Sequence, residues 1–191
     1  MRYLFFMLLV TLSLSGSFAQ STNKAESPEA MVVLLKRNAI EDPSYCADRM
    51  HPEALKLFRT LVLEFIQSTP AEGRETALSV LFDGPMSEKN LANTNPTQLY
   101  ASFLRKLAMQ TTPEMAEIYA KSEITPIGSV AEADVTHVVV RTSLKDRDYR
   151  KLDVISFKKY GNSWGALLGE ELEFKIRNMI RSQQARRSLP K

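Results

Sequence analysis

Between Asp134 and Leu168 the apolar positions repeat with a period of two, and this stretch organises the rest of the chain. Val135, His137, Val139 and Arg141 alternate with Thr136, Val138, Val140 and Thr142, a density of β-branched residues suited to a pleated, half-buried strand. A charged link, Lys145 to Lys151, leads into Leu152-Asp153-Val154-Ile155-Ser156-Phe157. Gly161-Asn162-Ser163 then turns the chain into Trp164-Gly165-Ala166-Leu167-Leu168. Two turn-separated returns predict a three-stranded antiparallel meander. Ile127 to Ala131, just after Thr125-Pro126, predicts a further edge strand, where proline and glycine are tolerated. On the His137 strand, the face of Thr136, Val138, Val140 and Leu144 is the better candidate for the core.

Ahead of the sheet the period changes to helical. Ser27-Pro28-Glu29, His51-Pro52-Glu53, Thr69-Pro70-Ala71-Glu72, Asn95-Pro96-Thr97-Gln98 and Thr112-Pro113-Glu114 each set a capping residue before a proline, then an acid or amide. Proline at the first helical position loses no hydrogen bond, and early carboxylates face the positive end of the helix dipole. Helices are therefore expected over Pro28 to Ile40, Pro52 to Gln67, Pro70 to Phe82, Pro96 to Met109 and Pro113 to Lys121, with a short turn of helix between Ser87 and Asn95. Thr69 with Glu72, and Asn95 with Gln98, have capping-box spacing. The second helix has the strongest stripe: Leu55, Phe58, Leu61, Val62, Phe65 and Ile66. After Gly169 the helical period returns, with Leu172, Ile176, Met179 and Ile180 on one face. The pattern as a whole predicts an α+β domain: a helical amino-terminal half packed on a three- to four-stranded antiparallel meander, followed by an amphipathic carboxy-terminal helix.

Residues 1–19 read as an export signal. Arg2 is the charged start, Leu4 to Leu14 an apolar core too short to span a bilayer comfortably, and Ser17-Phe18-Ala19 a small-x-small cleavage pattern. Residues 20–26 then form a polar leader, 27–182 a single domain and 183–191 a basic, frayed tail. A periplasmic or secreted location is expected. Beyond the signal no run approaches eighteen apolar residues, so no transmembrane segment is expected.

The formal charge of +3 includes Arg2, so the mature chain carries +2. Six basic and no acidic residues lie from Lys175 onward, which leaves −4 on 20–174. The high pI is a property of the tail, which argues against a nucleic-acid-binding domain. Arg177, Arg181, Arg186 and Arg187 offer weak contact with an anionic surface, or simply solubilise the end. Cys46, the only cysteine, cannot bridge internally; it is either a buried small residue or a thiol for intermolecular chemistry.

Enzyme motifs are missing: there is no glycine-rich phosphate loop, no Cys-x-x-Cys, no His-Glu-x-x-His and no Gly-x-Ser-x-Gly. His51-Pro52-Glu53 matches the first half of a zinc-deaminase signature whose Pro-Cys-x-x-Cys half never follows. Neither a metal nor a cofactor is implied. The candidate site residues are His137, Arg141, Trp164 and Tyr45. His137 and Arg141 either face water or project into a cavity where they orient an anionic or carbonyl-bearing ligand. Trp164 either closes the sheet against a helix or lines that cavity. Tyr45 stands with Cys46, Asp48 and Arg49 ahead of the strongest helix.

Several amino-terminal helices followed by a meander containing Lys159-Tyr160-Gly161-Asn162-Ser163-Trp164 resemble the nuclear-transport-factor-like, cystatin-type cone superfamily. That resemblance implies a bent sheet with helices on its concave side, in a group holding isomerases, dehydratases, lipid carriers and non-catalytic exported modules. Three functions stay open. One is an exported non-catalytic binding module for a small hydrophobic ligand or an envelope protein partner. A second is an isomerase or dehydratase with His137 as acid-base group and Arg141 or Tyr45 as its orienting partner. The third is an interaction protein acting through its basic carboxy-terminal helix.

Overall fold

The computed structural model describes residues 27–144 and 148–188. Residues 1–26, which the sequence reads as an export signal and leader, residues 145–147 of the charged link, and residues 189–191 lie outside them.

Most helices open as their caps dictate. Helix α1, Pro28–Asn38, starts on Ser27, whose hydroxyl accepts from the Ala30 N–H. Helix α2, Pro43–Asp48, is an addition to the expected set. It opens on Asp42-Pro43 with the Asp42 carboxylate accepting from the Tyr45 N–H at 3.0 Å, and is too short to show an apolar period. Helix α3, Pro52–Ser68, is capped by His51, whose Nδ1 accepts from the Glu53 N–H at 3.2 Å. This gives the His-Pro-Glu triplet a structural role.

The Thr69-Pro70 start behaves differently. A 3-10 turn, Ala71–Gly73, precedes helix α4, Arg74–Leu81, and neither has a side-chain cap. Thr69 Oγ1 instead donates to the Phe65 carbonyl at 2.9 Å, closing α3, so the expected box with Glu72 is not made. Helix α5, Glu88–Asn93, is capped by Ser87. Helix α6, Pro96–Met109, is capped by Asn95 through the Thr97 N–H, and helix α7, Pro113–Lys121, by Thr112.

Four antiparallel strands follow in sequence order: β1 Ser122–Glu132, β2 Val135–Leu144, β3 Tyr149–Tyr160 and β4 Ser163–Ala166. β1 is longer than expected because the chain runs directly from α7 into the sheet; a bulge between Pro126 and Gly128 absorbs the proline. The β3–β4 hairpin turns on Gly161 and Asn162, and the +57° φ of Gly161 is the left-handed geometry that such tight loops need. The fold is thus α+β, completed by helix α8, Glu170–Ser188.

Buried apolar side chains form two clusters. One lies among helices: Leu55, Phe58 and Leu61 of α3, Leu99 and Phe103 of α6, Ile176 and Ile180 of α8, with Leu78, Phe82 and Leu91 beneath. The other joins sheet to helix: Val138, Val140 and Phe157 pack against Met31 and Val32 of α1, with Ile155 and Trp164 alongside. The face read as core on β2 is therefore the covered one, and its cover is α1. Met50 touches both clusters.

The joint between the clusters is backbone. His51 N–H donates to the Ala166 carbonyl, and Ala166 N–H to the Arg49 carbonyl, both at 2.8 Å, so Arg49–His51 borders β4 as a short parallel bridge. Lys158 Nζ, 2.7 Å from Glu53 Oε2, ties the sheet to the first turn of α3.

The tail needs one correction. Instead of fraying from Gln183, α8 continues to Ser188, because Ile176 and Ile180 anchor it in the core and the Arg187 guanidinium donates to the Thr69 carbonyl at 2.8 Å.

Candidate functional site

The four residues singled out from the sequence are not gathered on one face. His137 pairs across the sheet with Ser156, and Trp164 with Lys159, so their side chains lie on opposite faces. His137 Nδ1 is hydrogen-bonded to Ser156 Oγ at 2.8 Å, and its Nε2 stands 3.6 Å from Glu132 Oε2. Arg141 is exposed farther along the same face. Trp164 is half-buried against the Val138–Phe157 cluster, which is its sheet-closing role. Tyr45, on α2, has the Arg49 guanidinium 3.5 Å from its ring centroid. Acid-base chemistry by His137 needs an orienting group aimed at the same reacting atom. The polar side chains that meet its ring are Ser156 and Glu132, on the side of the sheet away from α1.

The basic residues of α8 are partly engaged. Arg177 Nη2 lies 2.8 Å from Glu173 Oε1 and Arg187 bonds to Thr69, whereas Arg181 and Arg186 are exposed.

Cys46 is buried, its thiol donating to the Leu35 carbonyl at 3.4 Å. Burial, and secondarily the Asp42 carboxylate, push its pKa up to about 11. Burial likewise raises the Tyr100 phenol to about 12. The thiolate is the reactive form, so Cys46 is poorly suited to disulfide exchange near neutral pH. In the native protein an alkylating reagent at pH 7.5 is expected to label Cys46 far more slowly than in denatured protein. Comparable rates, read by intact mass, would show that the α1–α2 packing opens readily.

Three of the hollows have distinct characters. One of about 500 Å³ is lined largely by polar residues, and some of these are already engaged: Ser102 Oγ donates to the Asp83 carbonyl at 2.9 Å, and Arg105 Nε lies 3.1 Å from Asp83 Oδ2. A second, about 720 Å³, is a groove beside β3 that mixes Leu35, Tyr100 and Leu104 with His137, Asp153 and Glu171.

The third, about 350 Å³, is a cleft walled by helices. Phe58, Val62 and Phe65 of α3, Phe103 of α6, and Ile176 and Met179 of α8 line it. Lys175 also lines it, with a largely exposed side chain that holds Glu171 Oε1 at 2.7 Å. Most of the apolar lining is made by the stripes read from the sequence on α3 and α8. Their spacing shows which residues face inward, but not that the three helices leave space between them.

Among the described residues no group of three or more His, Cys, Asp or Glu side chains could hold a metal ion, and no helix is long and apolar enough to cross a membrane. Set beside known proteins, the chain matches no family model, no curated protein and no solved structure.

Proposed function

We propose that this protein is an exported, non-catalytic binding module that holds a small hydrophobic molecule in the cleft between α3, α6 and α8. The observation that carries this reading is the cleft itself: about 350 Å³, walled by Phe58, Val62, Phe65, Phe103 and Ile176. That volume sits near the lower end of the roughly 300–1,000 Å³ typical of small-molecule sites. An apolar chain entering it is driven by removal of its surface from water. Lys175 supplies the one cation in the lining, available to an anionic head group once it exchanges Glu171 for the ligand. A short amphiphile, such as a medium-chain carboxylate, matches that arrangement.

The cleft belongs to the helical layer, whereas the sequence places a pocket under the sheet. The reason is that α1, Ile155 and Trp164 already fill the covered face. Export is the remaining part of the proposal, resting on the signal-like residues 1–19.

The test is displacement of an environment-sensitive naphthylamine probe by medium-chain carboxylates, alongside mass spectrometry of organic extracts from natively purified protein. Met179→Trp, at a half-open position lining the cleft, is expected to fill it. Probe affinity should fall at least about tenfold, equivalent to ~1.4 kcal/mol. Unchanged affinity in Met179→Trp, or a wild-type protein that takes up neither probe nor carboxylate, overturns the proposal.

A further inference from the structure

The sheet has two edges, and they differ. β1 carries Pro126, which cannot donate, and a bulge beside it, both of which blunt pairing with another strand. The edge of β3 is open along part of its length, because β4 pairs only with Phe157 to Tyr160 and a last bond runs from the Leu167 N–H to the Ser156 carbonyl at 2.8 Å. Backbone direction alternates along a strand. Lys159 N–H donates toward β2, to the Asp134 carbonyl, so the odd-numbered residues of β3 serve β2. Arg150, Leu152 and Val154 accordingly aim their N–H and C=O groups outward. Leu152 and Val154 are 63% and 60% exposed, on the sheet face away from α1.

We propose that a second copy of this protein pairs with this edge, β3 against β3 in antiparallel sense about a two-fold axis at Leu152. Charge selects the copy and the register. Within 150–154, three registers set two or more of the outward residues opposite one another. Centring on Lys151 opposes Lys151 to itself, and centring on Asp153 opposes Asp153 to itself; both set like charges across the seam. Centring on Leu152 opposes Lys151 to Asp153 twice, Arg150 to Val154 and Leu152 to Leu152. Lys151 and Asp153 already attract each other within one chain, Nζ to Oδ1 2.9 Å, and Lys151 also stands 3.9 Å from Glu171.

The length of the free edge fits as well. It is bounded by the turn residue Asp148 at one end and by Leu167 bonded to Ser156 at the other, leaving 150–154 symmetric about Leu152. Pairing there joins the two sheets into one and brings the exposed Leu152 and Val154 side chains of both copies together, so that apolar area leaves water along with the backbone bonds.

Sedimentation velocity at sub-millimolar concentration tests this. The wild type is expected to dimerise reversibly. Lys151→Asp sets two acids against each other at both ends of the seam, and Asp153→Lys sets two lysines there; each should weaken self-association by roughly tenfold or more. An equimolar mixture of the two variants restores opposite charges at both positions and should dimerise like the wild type. Because both side chains are at least partly exposed, circular dichroism should show both variants folded. A wild type that stays monomeric, single variants that dimerise as the wild type does, or a mixture that stays monomeric would overturn the proposal.

Discussion

Gly165→Ala is expected to cost about 3 kcal/mol or more, the upper range for forcing an added methyl into a filled site. A Cβ at Gly165 would stand 2.6 Å from the Cα of His51 and 2.8 Å from its nitrogen. Both are backbone atoms, so no side-chain rotation relieves the contact. The segment that would have to move is Arg49–His51, which exchanges hydrogen bonds with Ala166 on both sides and carries the N-cap of α3. Moving it would loosen the joint between the sheet and the helical cluster. For a domain of this size the loss corresponds to a fall in Tm of roughly 6–12 °C, measured by thermal or urea unfolding. A Tm within about 2 °C of the wild type would show that this joint yields, and that Gly165 is not what holds it close.

Phe58→Ala is expected to cost roughly 3–5 kcal/mol. Phe58 is fully buried, with ring centroids 4.9 Å from Tyr100 and 5.1 Å from Phe103, so truncation removes burial and two aromatic contacts and leaves a cavity. It also widens the proposed cleft, since the ring is part of the wall. Phe174→Ala is the matched control: its ring is 62% exposed on α8, and a change within about 0.5 kcal/mol is expected. Equal losses in the two variants, by urea unfolding, would show that aromatic content rather than this packed triad sets the stability.

The helical half was legible because its signals are local. A cap residue, a proline and an apolar stripe lie within a turn or two of each other, so α6 and α7 begin and end where the sequence places them. The pattern stops being sufficient where a neighbour competes. Thr69 has capping-box spacing to Glu72, yet its N–H and its hydroxyl both donate to carbonyls left over at the end of α3, so the N–H that the Glu72 side chain would accept from is already taken. Residues 183–188 look like a solvated tail by composition, yet a carbonyl at the far end of α3 holds Arg187.

The candidate site was less legible. Two-residue periodicity sorts Val138 and Val140 from His137 and Arg141, and the buried face is the one expected. Periodicity along single strands does not show that Trp164 sits on the other face from His137; the β3–β4 register decides that. The α3 and α8 stripes name the residues of the cleft without revealing the space between them.

For this protein, then, the amino-acid sequence by itself determined an α+β chain: proline-started helices, an antiparallel meander, and the inward faces of α3, α8 and β2. Those features depend on caps, turns and periodicities that span only a few residues. The tertiary structure alone decided that α1 covers the sheet while the other buried helical faces meet one another, that Gly165 presses on His51, and that β3 keeps an open edge. Each of these depends on backbones distant in sequence coming within a few ångströms, and close packing, unlike a cap or a period, leaves no local trace in the residues that make it.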